Sequence, residues 1–349
     1  MGKKIIPVIA VVLIPVVCLY LLTLLLTPKY VNDIPEGSMI AEYYKSEKNN
    51  DVLILGDCEV YENISTVKMW EEYGITSYIR GSSEQLIWQS YYLLEDTLKH
   101  ETPKVVVLSM LAMSEADAKS EAYNRMTLDG MRWSKSKWNS IKESMTEKET
   151  MGSYIFPLLR YHSRWSELSS DDIKYMFNKP KVTSNGYLMQ VGVRPVTTVP
   201  KVSPLANYTF SDRNYEYLDK IKDLCNEKGI KLVLIKAPSI FPHWYDEWES
   251  QIQDYANENN LLYLNMVDKA DEIGLDYTTD TFDGQHLNVD GAEKTAVYLG
   301  NILKDQYRLT DHRGESETAS QWNKIVSDYN SLKTKKQEAW NNSLNGGSQ

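Results

Sequence analysis

Five short apolar runs, separated by segments with helical periodicity, constrain the fold of this chain more than any other feature. Each run lacks the alternation of apolar and polar residues that marks a half-exposed strand, so each is predicted to be a strand covered on both faces. The runs are Val52–Leu55, Ile75–Ile79, Lys104–Leu108, Lys231–Lys236 and Leu261–Asn265. The helical segments are Ser65–Tyr73, Glu84–His100, Asp212–Lys228, Trp244–Asn257 and Asp290–Tyr307. Strands that alternate with helices predict an α/β fold with a doubly wound, mostly parallel five-stranded sheet.

Changes in composition divide the chain into four parts. An apolar N-terminal segment covers residues 1–28, a linker 29–50, the α/β domain 51–307 and a polar tail 308–349. Residues 113–205 interrupt the alternation of strands and helices, and we interpret them as an insertion or lid packed over the sheet edge. Apolar residues of the tail recur at helical spacing: Trp322, Ile325, Val326, Tyr329 and Leu332. They predict one amphipathic helix that docks on the domain or on a partner, followed by a disordered end.

The N-terminal segment has the pattern of a membrane anchor. Residues Ile5 to Leu26 are almost wholly apolar, close to the roughly 20 residues that a transmembrane helix needs. Lys3 and Lys4 precede this run, so the positive-inside rule predicts a cytoplasmic N-terminus and an extracellular domain. A cleaved signal peptide is the alternative, but the run is long for one and no small-x-small cleavage site follows it.

Charge and composition exclude other classes of function. The net charge is −10 and the chain has no basic tract, so nucleic-acid binding is not expected. The 5 His residues show no metal-ligand spacing with Cys or carboxylates, so neither a metal site nor a cofactor is predicted.

The first predicted strand runs into Gly56-Asp57-Cys58. A sharp turn from a strand into a helix presents its side chain at the sheet edge, as in a nucleophile elbow. Gly56 permits such a turn, and Asp57 can hold it by accepting backbone hydrogen bonds. Near a helix N-terminus the pKa of the Cys58 thiol is expected to be lowered. The alternative is a buried structural cysteine in a βα turn.

Asp283 and His286 lie three residues apart in a loop before the last predicted helix. A loop histidine can accept a proton on one ring nitrogen while a carboxylate orients the other. Together with Cys58 they supply the nucleophile, base and orienting acid of triad chemistry. A surface histidine that caps the following helix is the alternative for His286.

In three blocks the chain resembles the SGNH (GDSL-type) hydrolase superfamily, whose fold is flavodoxin-like. Gly56-Asp57-Cys58 stands where that family has Gly-Asp-Ser, Gly81 matches its second block, and Asp283-Gly-Gln-His286 matches its last block. The third block, Gly-x-Asn-Asp, is absent, and Ser109–Ala112 takes its place. The resemblance implies an oxyanion hole formed by the N–H groups of Cys58 and Gly81. A third donor would then come from the insertion, with Asn124 and Arg125 as candidates.

The N-terminal anchor, the outward domain and the missing third block resemble the DltD and alginate-acetylation branch. That resemblance implies a membrane-bound O-acyltransferase as partner, and a polysaccharide or teichoic-acid-type polymer as acceptor. O-acetylation is the first expectation and D-alanylation the second. A non-catalytic assembly subunit of such a complex is the runner-up, and a tethered lipase with broad activity on simple esters is a third possibility.

Cysteine in place of serine is the main departure from the family pattern. A thioester intermediate is activated toward transfer to a hydroxyl, so the exchange is compatible with acyl transfer. A site that only binds, an engineered substitution and a redox-sensitive thiol are the alternatives.

Cations and aromatic residues occur together in the insertion, where Arg160, His162 and Arg164 are candidates for contacts with a sugar polymer. Salt bridges within this acidic domain are the alternative for these side chains.

Overall fold

The computed structural model describes residues 2–29, 35–118, 120–198 and 201–346. Its centre is a five-stranded sheet in the order β2-β1-β3-β4-β5, and every neighbouring pair of strands is parallel. The strands are β1 Val52–Gly56, β2 Ser77–Gly81, β3 Val105–Ser109, β4 Lys231–Lys236 and β5 Leu262–Asn265. The chain adds β2 on one side of β1 and then β3, β4 and β5 on the other side. The connections from β1 and β3 therefore run to opposite sides, which creates the crevice where open α/β sheets bind ligands.

Helices cover both faces of the sheet. The first seven are α1 Gly2–Leu26, α2 Met39–Glu42, α3 Cys58–Tyr61, α4 Thr66–Tyr73, α5 Ile87–Thr97, α6 Glu121–Leu128 and α7 Lys135–Ser144. The remainder are α8 Met151–Ile155, α9 Leu158–Tyr161, α10 Ser170–Lys174, α11 Asp212–Lys228, α12 Asp246–Asn259, α13 Ala270–Ile273, α14 Val289–Tyr307 and α15 Ser316–Gly346. Short 3-10 helices at 35–38, 43–45, 111–114, 162–166 and 312–314 connect some of them.

Successive residues of each strand point into two separate hydrophobic cores. Leu53 and Leu55 of β1 pack with α5, α11 and α12, whereas Val52 and Ile54 pack with α4, α14 and α15. Because side chains of a strand alternate between faces, an unbroken apolar strand fills both cores at once. The predicted α/β fold with a five-stranded parallel sheet is therefore confirmed.

Several predicted elements begin one to three residues later than expected. The second strand starts at Ser77 instead of Ile75, and the hydroxyl of Thr76 just before it accepts the Asp51 N–H and donates to the Asn49 carbonyl. The helix predicted from Glu84 starts at Ile87, because Glu84 takes a left-handed backbone conformation (φ 53°) that a helix cannot continue.

The 113–205 insertion has two structural parts. The first holds the short helices α6 to α10, of which α7 packs on α5. The second, residues 182–198, crosses the carboxyl ends of the strands as an extended strap. It is held by backbone hydrogen bonds from Leu188 to Tyr61, from Val289 to Gln190, and from Arg194 to Thr281.

Residues 35–50, predicted as a linker, pack onto the domain. Tyr43 is fully buried beneath β2, and the Glu42 carboxylate accepts hydrogen bonds from the backbone of Val182 and Thr183. The alternation rule could not identify this segment because it lies outside the sheet and carries no strand.

The N-terminal run is helical from Gly2 to Leu26. Among the residues whose side chains are described, no helix is long and apolar enough to cross a membrane. The side chains of residues 2–10 and 12 lie outside that set, so the transmembrane anchor stays a prediction.

The predicted C-terminal helix is α15, and it docks along the domain. Trp322 stacks on Trp70 with ring centroids 5.0 Å apart, and the buried Tyr329 hydroxyl donates to Glu293 at 2.7 Å. Further along, the Lys336 ammonium donates to the Met189 carbonyl of the strap.

We expect Trp322→Ala to lower the free energy of unfolding by about 3 kcal/mol, because a buried aromatic side chain is removed. The neighbouring Asn323 is exposed, so Asn323→Ala is the matched control, with an expected change of about 0.5 kcal/mol or less. Urea unfolding measures both, and equal losses in the two variants would contradict the docked position of α15.

Candidate active site

Cys58 lies at the carboxyl end of β1, on the sharp turn that the sequence predicts. Gly56 has a φ of +155°, and a Cβ there would lie 2.6 Å from Cβ of Ser109, so only glycine fits between β1 and β3. The Asp57 carboxylate caps α3 by accepting the Glu59 backbone N–H at 3.1 Å. Cys58 is the first residue of this helix and is partly exposed.

The pKa of the Cys58 thiol is raised, so the prediction of a lowered pKa is wrong. Burial has the largest effect, and the carboxylates of Asp57, Glu62 and Glu59 add to it. Each of these carboxylates disfavours the thiolate because its negative charge repels the negative charge on the sulfur. A one-turn helix is too short to offset several carboxylates, and the sequence could not show that they converge on the sulfur.

The Asp283–His286 loop is a tight turn closed by an antiparallel bridge between Thr281 and Leu287. Asp283 Oδ1 accepts the backbone N–H of His286 at 2.7 Å, and Oδ2 lies 2.8 Å from His286 Nδ1. The carboxylate therefore holds both the loop and the imidazole ring. This is the orientation expected of a triad histidine, in which Nε2 is left to exchange a proton.

A second carboxylate, Glu62, also faces His286. Its Oε2 lies 3.2 Å from Nδ1, and its Oε1 accepts a hydrogen bond from Gln190 of the strap at 2.6 Å. Sequence reasoning missed Glu62. The available signal was its spacing, because a residue four places after Cys58 lies on the same side of a helical turn.

The pKa of His286 reflects opposing effects. Burial lowers it, but the hydrogen bond to Asp283 and the negative charges of Glu62 and Asp283 together raise it above the ordinary value. The pKa of Asp283 is in turn lowered: burial raises it, but the hydrogen bonds from His286 and Gln285 more than compensate. His286 therefore accepts a proton more readily than a free histidine does.

The elbow and the histidine loop line one cavity of about 720 Å³ at the carboxyl edge of the sheet. Cys58 and Asp57 contribute one wall, Asp283 to Gln285 another, and the strap residues Arg194 to Thr198 a third. His286, the next residue after this loop, does not itself line the cavity; its Nε2 is buried and, among the described residues, has no hydrogen-bond partner. Hydrogen bonds between nucleophile and base are often long or unmade until substrate binds.

Buried polar contacts behind Cys58 hold the elbow and the histidine loop together. The Asn63 side chain donates to Ser239 Oγ at 2.6 Å and accepts the Leu287 backbone N–H at 2.8 Å. Next to it, Lys236 Nζ lies 2.7 Å from Glu59 Oε1, and neither side chain is exposed. An apolar strand that ends in lysine was the sequence signal for this pair, since a buried cation needs a partner.

The residues expected to form the oxyanion hole are only partly gathered. Gly81 pairs with Gly56 in the sheet register, directly beside the elbow. Leu111 and Ala112 line the cavity. They stand in the sequence where the family that the chain resembles has its asparagine. Asn124 is buried against the Ser144 carbonyl and Arg125 pairs with Glu121 and Asp129. Neither side chain lines the cavity, so neither is placed to act as the third donor.

The cationic cluster of the insertion also lies away from the cavity lining. Arg160 pairs with Glu121 at 2.8 Å, and Arg164 pairs with Asp172 at 3.1 Å and donates to the Leu26 carbonyl at 2.6 Å. His162 is exposed, with Nδ1 near the Leu159 carbonyl. The two arginines thus follow the salt-bridge alternative.

We expect Asp283→Asn and Glu62→Gln each to lower the pKa of His286, because each removes a negative charge beside Nδ1. The double variant should lower it most. Titration of the imidazole by NMR measures the three values. Glu258→Gln, at an exposed position on α12, is the control and should leave the pKa unchanged. If Glu62→Gln behaved like that control, Glu62 would not belong to the site.

Comparisons with known proteins give structural similarity only, since no protein-family model and no curated protein matches the chain. A protein described as lipolytic, of the G-D-S-L family, from Desulfitobacterium hafniense DCB-2 has 12% identity and a TM-score of 0.37, over 73% of this chain and 100% of its own. A protein described as an acylhydrolase from Bacteroides fragilis has 12% identity and a TM-score of 0.37, over 80% and 98%. A GDSL-like lipase from Bacteroides thetaiotaomicron has 11% identity and a TM-score of 0.36, over 76% and 98%. At such low identity these similarities do not assign an activity, so the cavity residues have to carry any functional assignment.

Proposed function

We propose that this protein is an acyltransferase or esterase of the SGNH type that uses Cys58 as nucleophile, His286 as base and Asp283 as orienting carboxylate. One observation carries the proposal. The thiol and the Asp283–Gln285 loop line the same cavity, while the neighbouring His286 has its Nδ1 held by Asp283 and its buried Nε2 unpaired. Such a nitrogen is suited to proton transfer, and His286 directly follows the loop that lines the cavity together with the thiol.

In the proposed reaction Cys58 Sγ attacks an ester carbonyl as its proton moves to His286 Nε2. The tetrahedral intermediate collapses, the C–O bond breaks, and the leaving alcohol takes that proton. The product on the enzyme is a thioester. An acceptor hydroxyl then loses its proton to His286 and attacks the thioester, which restores the thiol. Because the pKa of Cys58 is raised, the sulfur attacks as a thiol assisted by a base rather than as a preformed thiolate.

Stabilisation of the oxyanion is assigned to the backbone N–H groups of Cys58 and Gly81. The donor that the missing asparagine would supply is assigned to Arg194. It is an exposed side chain of the strap and the only Lys or Arg on the described lining of the cavity. One such donor contributes about 10²–10³-fold in rate.

The proposed location is the outer face of the cell membrane, with α1 as a single transmembrane anchor. The side chains from Leu13 to Leu22 are aliphatic, apart from Pro15, Cys18 and the aromatic Tyr20. All of them are exposed. An exposed apolar surface of this size is typical of a membrane segment. The proposed acceptor is a cell-envelope or extracellular polysaccharide or a teichoic-acid-type polymer, with acetyl first and D-alanyl second. A membrane-bound O-acyltransferase is the proposed source of acyl groups.

The runner-up is a catalytically weak or inactive subunit that holds such a complex together. It is favoured by the raised pKa of Cys58 and by the apolar residues Leu111 and Ala112 where an oxyanion donor is expected. The enzymatic proposal and this runner-up predict different levels of polymer modification when the Cys58 sulfur is removed. Cys58→Ala should abolish polymer modification in the first and leave it intact in the second.

We expect Cys58→Ala to lower ester hydrolysis or acyl transfer by about 10³-fold or more. Cys58→Ser should stay well above that variant, because the base-assisted mechanism does not require a preformed thiolate. Hydrolysis of p-nitrophenyl acetate, together with mass spectrometry of an acyl adduct on Cys58, measures both. Cys225→Ala, at the buried cysteine of α11, is the control. Full activity of Cys58→Ala would refute the enzymatic proposal.

Activity should rise with pH as His286 loses its proton, because only the neutral imidazole accepts a proton from the thiol. Since the pKa of His286 is raised, the midpoint of this rise should lie above the ordinary pKa of histidine. Asp283→Asn should move the midpoint to lower pH and lower the plateau. The pH profile of kcat/KM measures both changes, and a midpoint that does not move would exclude His286 as the titrating base.

A further inference from the structure

Six large apolar side chains are exposed on the short helices α8 to α10 and on the segments that adjoin them; we call them the 155–177 apolar surface. They are Ile155, Phe156, Leu159, Trp165, Ile173 and Phe177. Trp165 is 72% exposed and Phe177 is 74% exposed, which is unusual for side chains of this size in a folded domain. Three of them, Phe156, Trp165 and Phe177, are aromatic, and tryptophan is enriched at membrane interfaces.

This surface lies beside the point where α1 enters the domain. The end of α1 contacts α9, α10 and the 3-10 helix between them. The Arg164 guanidinium donates to the Leu26 carbonyl at 2.6 Å, and Lys29 Nζ donates to the Leu24 carbonyl. Burial changes sharply along α1, since Leu22 is 45% exposed whereas Leu26 is 7% exposed. A bilayer around the exposed part of α1 would therefore end next to α9 and α10.

We propose that the 155–177 apolar surface inserts into the headgroup and upper acyl region of the bilayer that holds α1. This inference rests on the proposed anchoring by α1 and is independent of the acyl-transfer chemistry. The occupant is lipid, because the hydrogen bond from Arg164 to the Leu26 carbonyl and the ion pair of Lys29 with Asp172 fix this surface at the level where the membrane begins. Amphipathic segments that lie in an interface bury their apolar side chains to about 5–10 Å.

Residues 155–177 carry no net charge, since Arg160, Arg164 and Lys174 balance Glu167, Asp171 and Asp172. Lys174 is exposed within this segment, and a cation close to a membrane surface attracts anionic headgroups. Lys174 Nζ lies 4.7 Å from the centroid of the Tyr175 ring, an arrangement that leaves its charge at the surface. The whole chain is acidic, with a net charge of −10, so anionic headgroups repel this uncharged segment less than they repel the chain on average.

Single-cysteine versions of the full chain test the proposal in vesicles of phosphatidylcholine and phosphatidylglycerol. One protein carries Cys58→Ser and Cys225→Ala and keeps the exposed Cys18 of α1 as its label site. Two others carry Cys18→Ser, Cys58→Ser, Cys225→Ala and either Trp165→Cys or the control Glu258→Cys on α12, next to the opposite edge strand β5. The label is an environment-sensitive fluorophore, and the readout is quenching by lipids with a nitroxide on the acyl chain.

The expected result is quenching and a blue-shifted emission at positions 18 and 165, with neither change at position 258. Quenching at position 18 alone would overturn the proposal and leave the anchor intact, because the surface would then face water or a protein. Absence of quenching at position 18 would overturn the anchor and this proposal together, while leaving Cys58 chemistry untouched. A second label at Phe177→Cys should repeat the behaviour of position 165.

Discussion

The close approach of three chain segments at the carboxyl end of β1 is the constraint on which the candidate site depends. Gly56 leaves no room for a side chain against Ser109 of β3, and a Cβ at Gly81 would lie 2.8 Å from the Gly56 carbonyl. This contact lets β1, β2 and β3 end together and turns the chain sharply into α3. Cys58, which follows this turn, therefore lines the cavity. The strap of residues 182–198 and the histidine loop then close around it.

Electrostatics decide what chemistry this turn can support. Several carboxylates surround one thiol and one imidazole, so the thiolate is disfavoured and the imidazolium is favoured. The pair is therefore tuned in the direction of a serine-type mechanism, in which the base removes a proton during attack, rather than toward a stable thiolate–imidazolium pair. In the proposed reaction, acyl transfer therefore requires that substrate and base be aligned. The strap matters for that alignment, because Gln190 orients Glu62 and Arg194 reaches the cavity wall.

Most of the sheet was readable from the sequence because buried parallel strands leave a strong local signal. Lys231–Lys236 and Asp212–Lys228 have the bounds that were predicted, and the other strands differ by only a few residues. Cys58, Asp283 and His286 could be predicted as candidate site residues, since the elbow and the loop have compact sequence patterns. The residues that surround these three were not predicted. Glu62, Asn63 and the Glu59–Lys236 pair gain their roles from contacts between segments far apart in the chain. Local signals existed for Glu62 and for Lys236, but they do not specify which residue each side chain contacts.

In the insertion, the sequence suggested a role that the contacts in the structure do not support. Its arginines and aromatic residues suggested polymer binding, yet Arg125, Arg160 and Arg164 are paired with acids supplied by the fold. By itself the sequence determined the alternation of strands and helices, the apolar N-terminal run and the three residues of the candidate triad, because each depends on spacing within one segment. Only the tertiary structure decided the pKa of Cys58, the second carboxylate on His286 and the exposure of the 155–177 apolar surface. Charge, burial and solvent access depend on distances through space, which chain spacing does not specify.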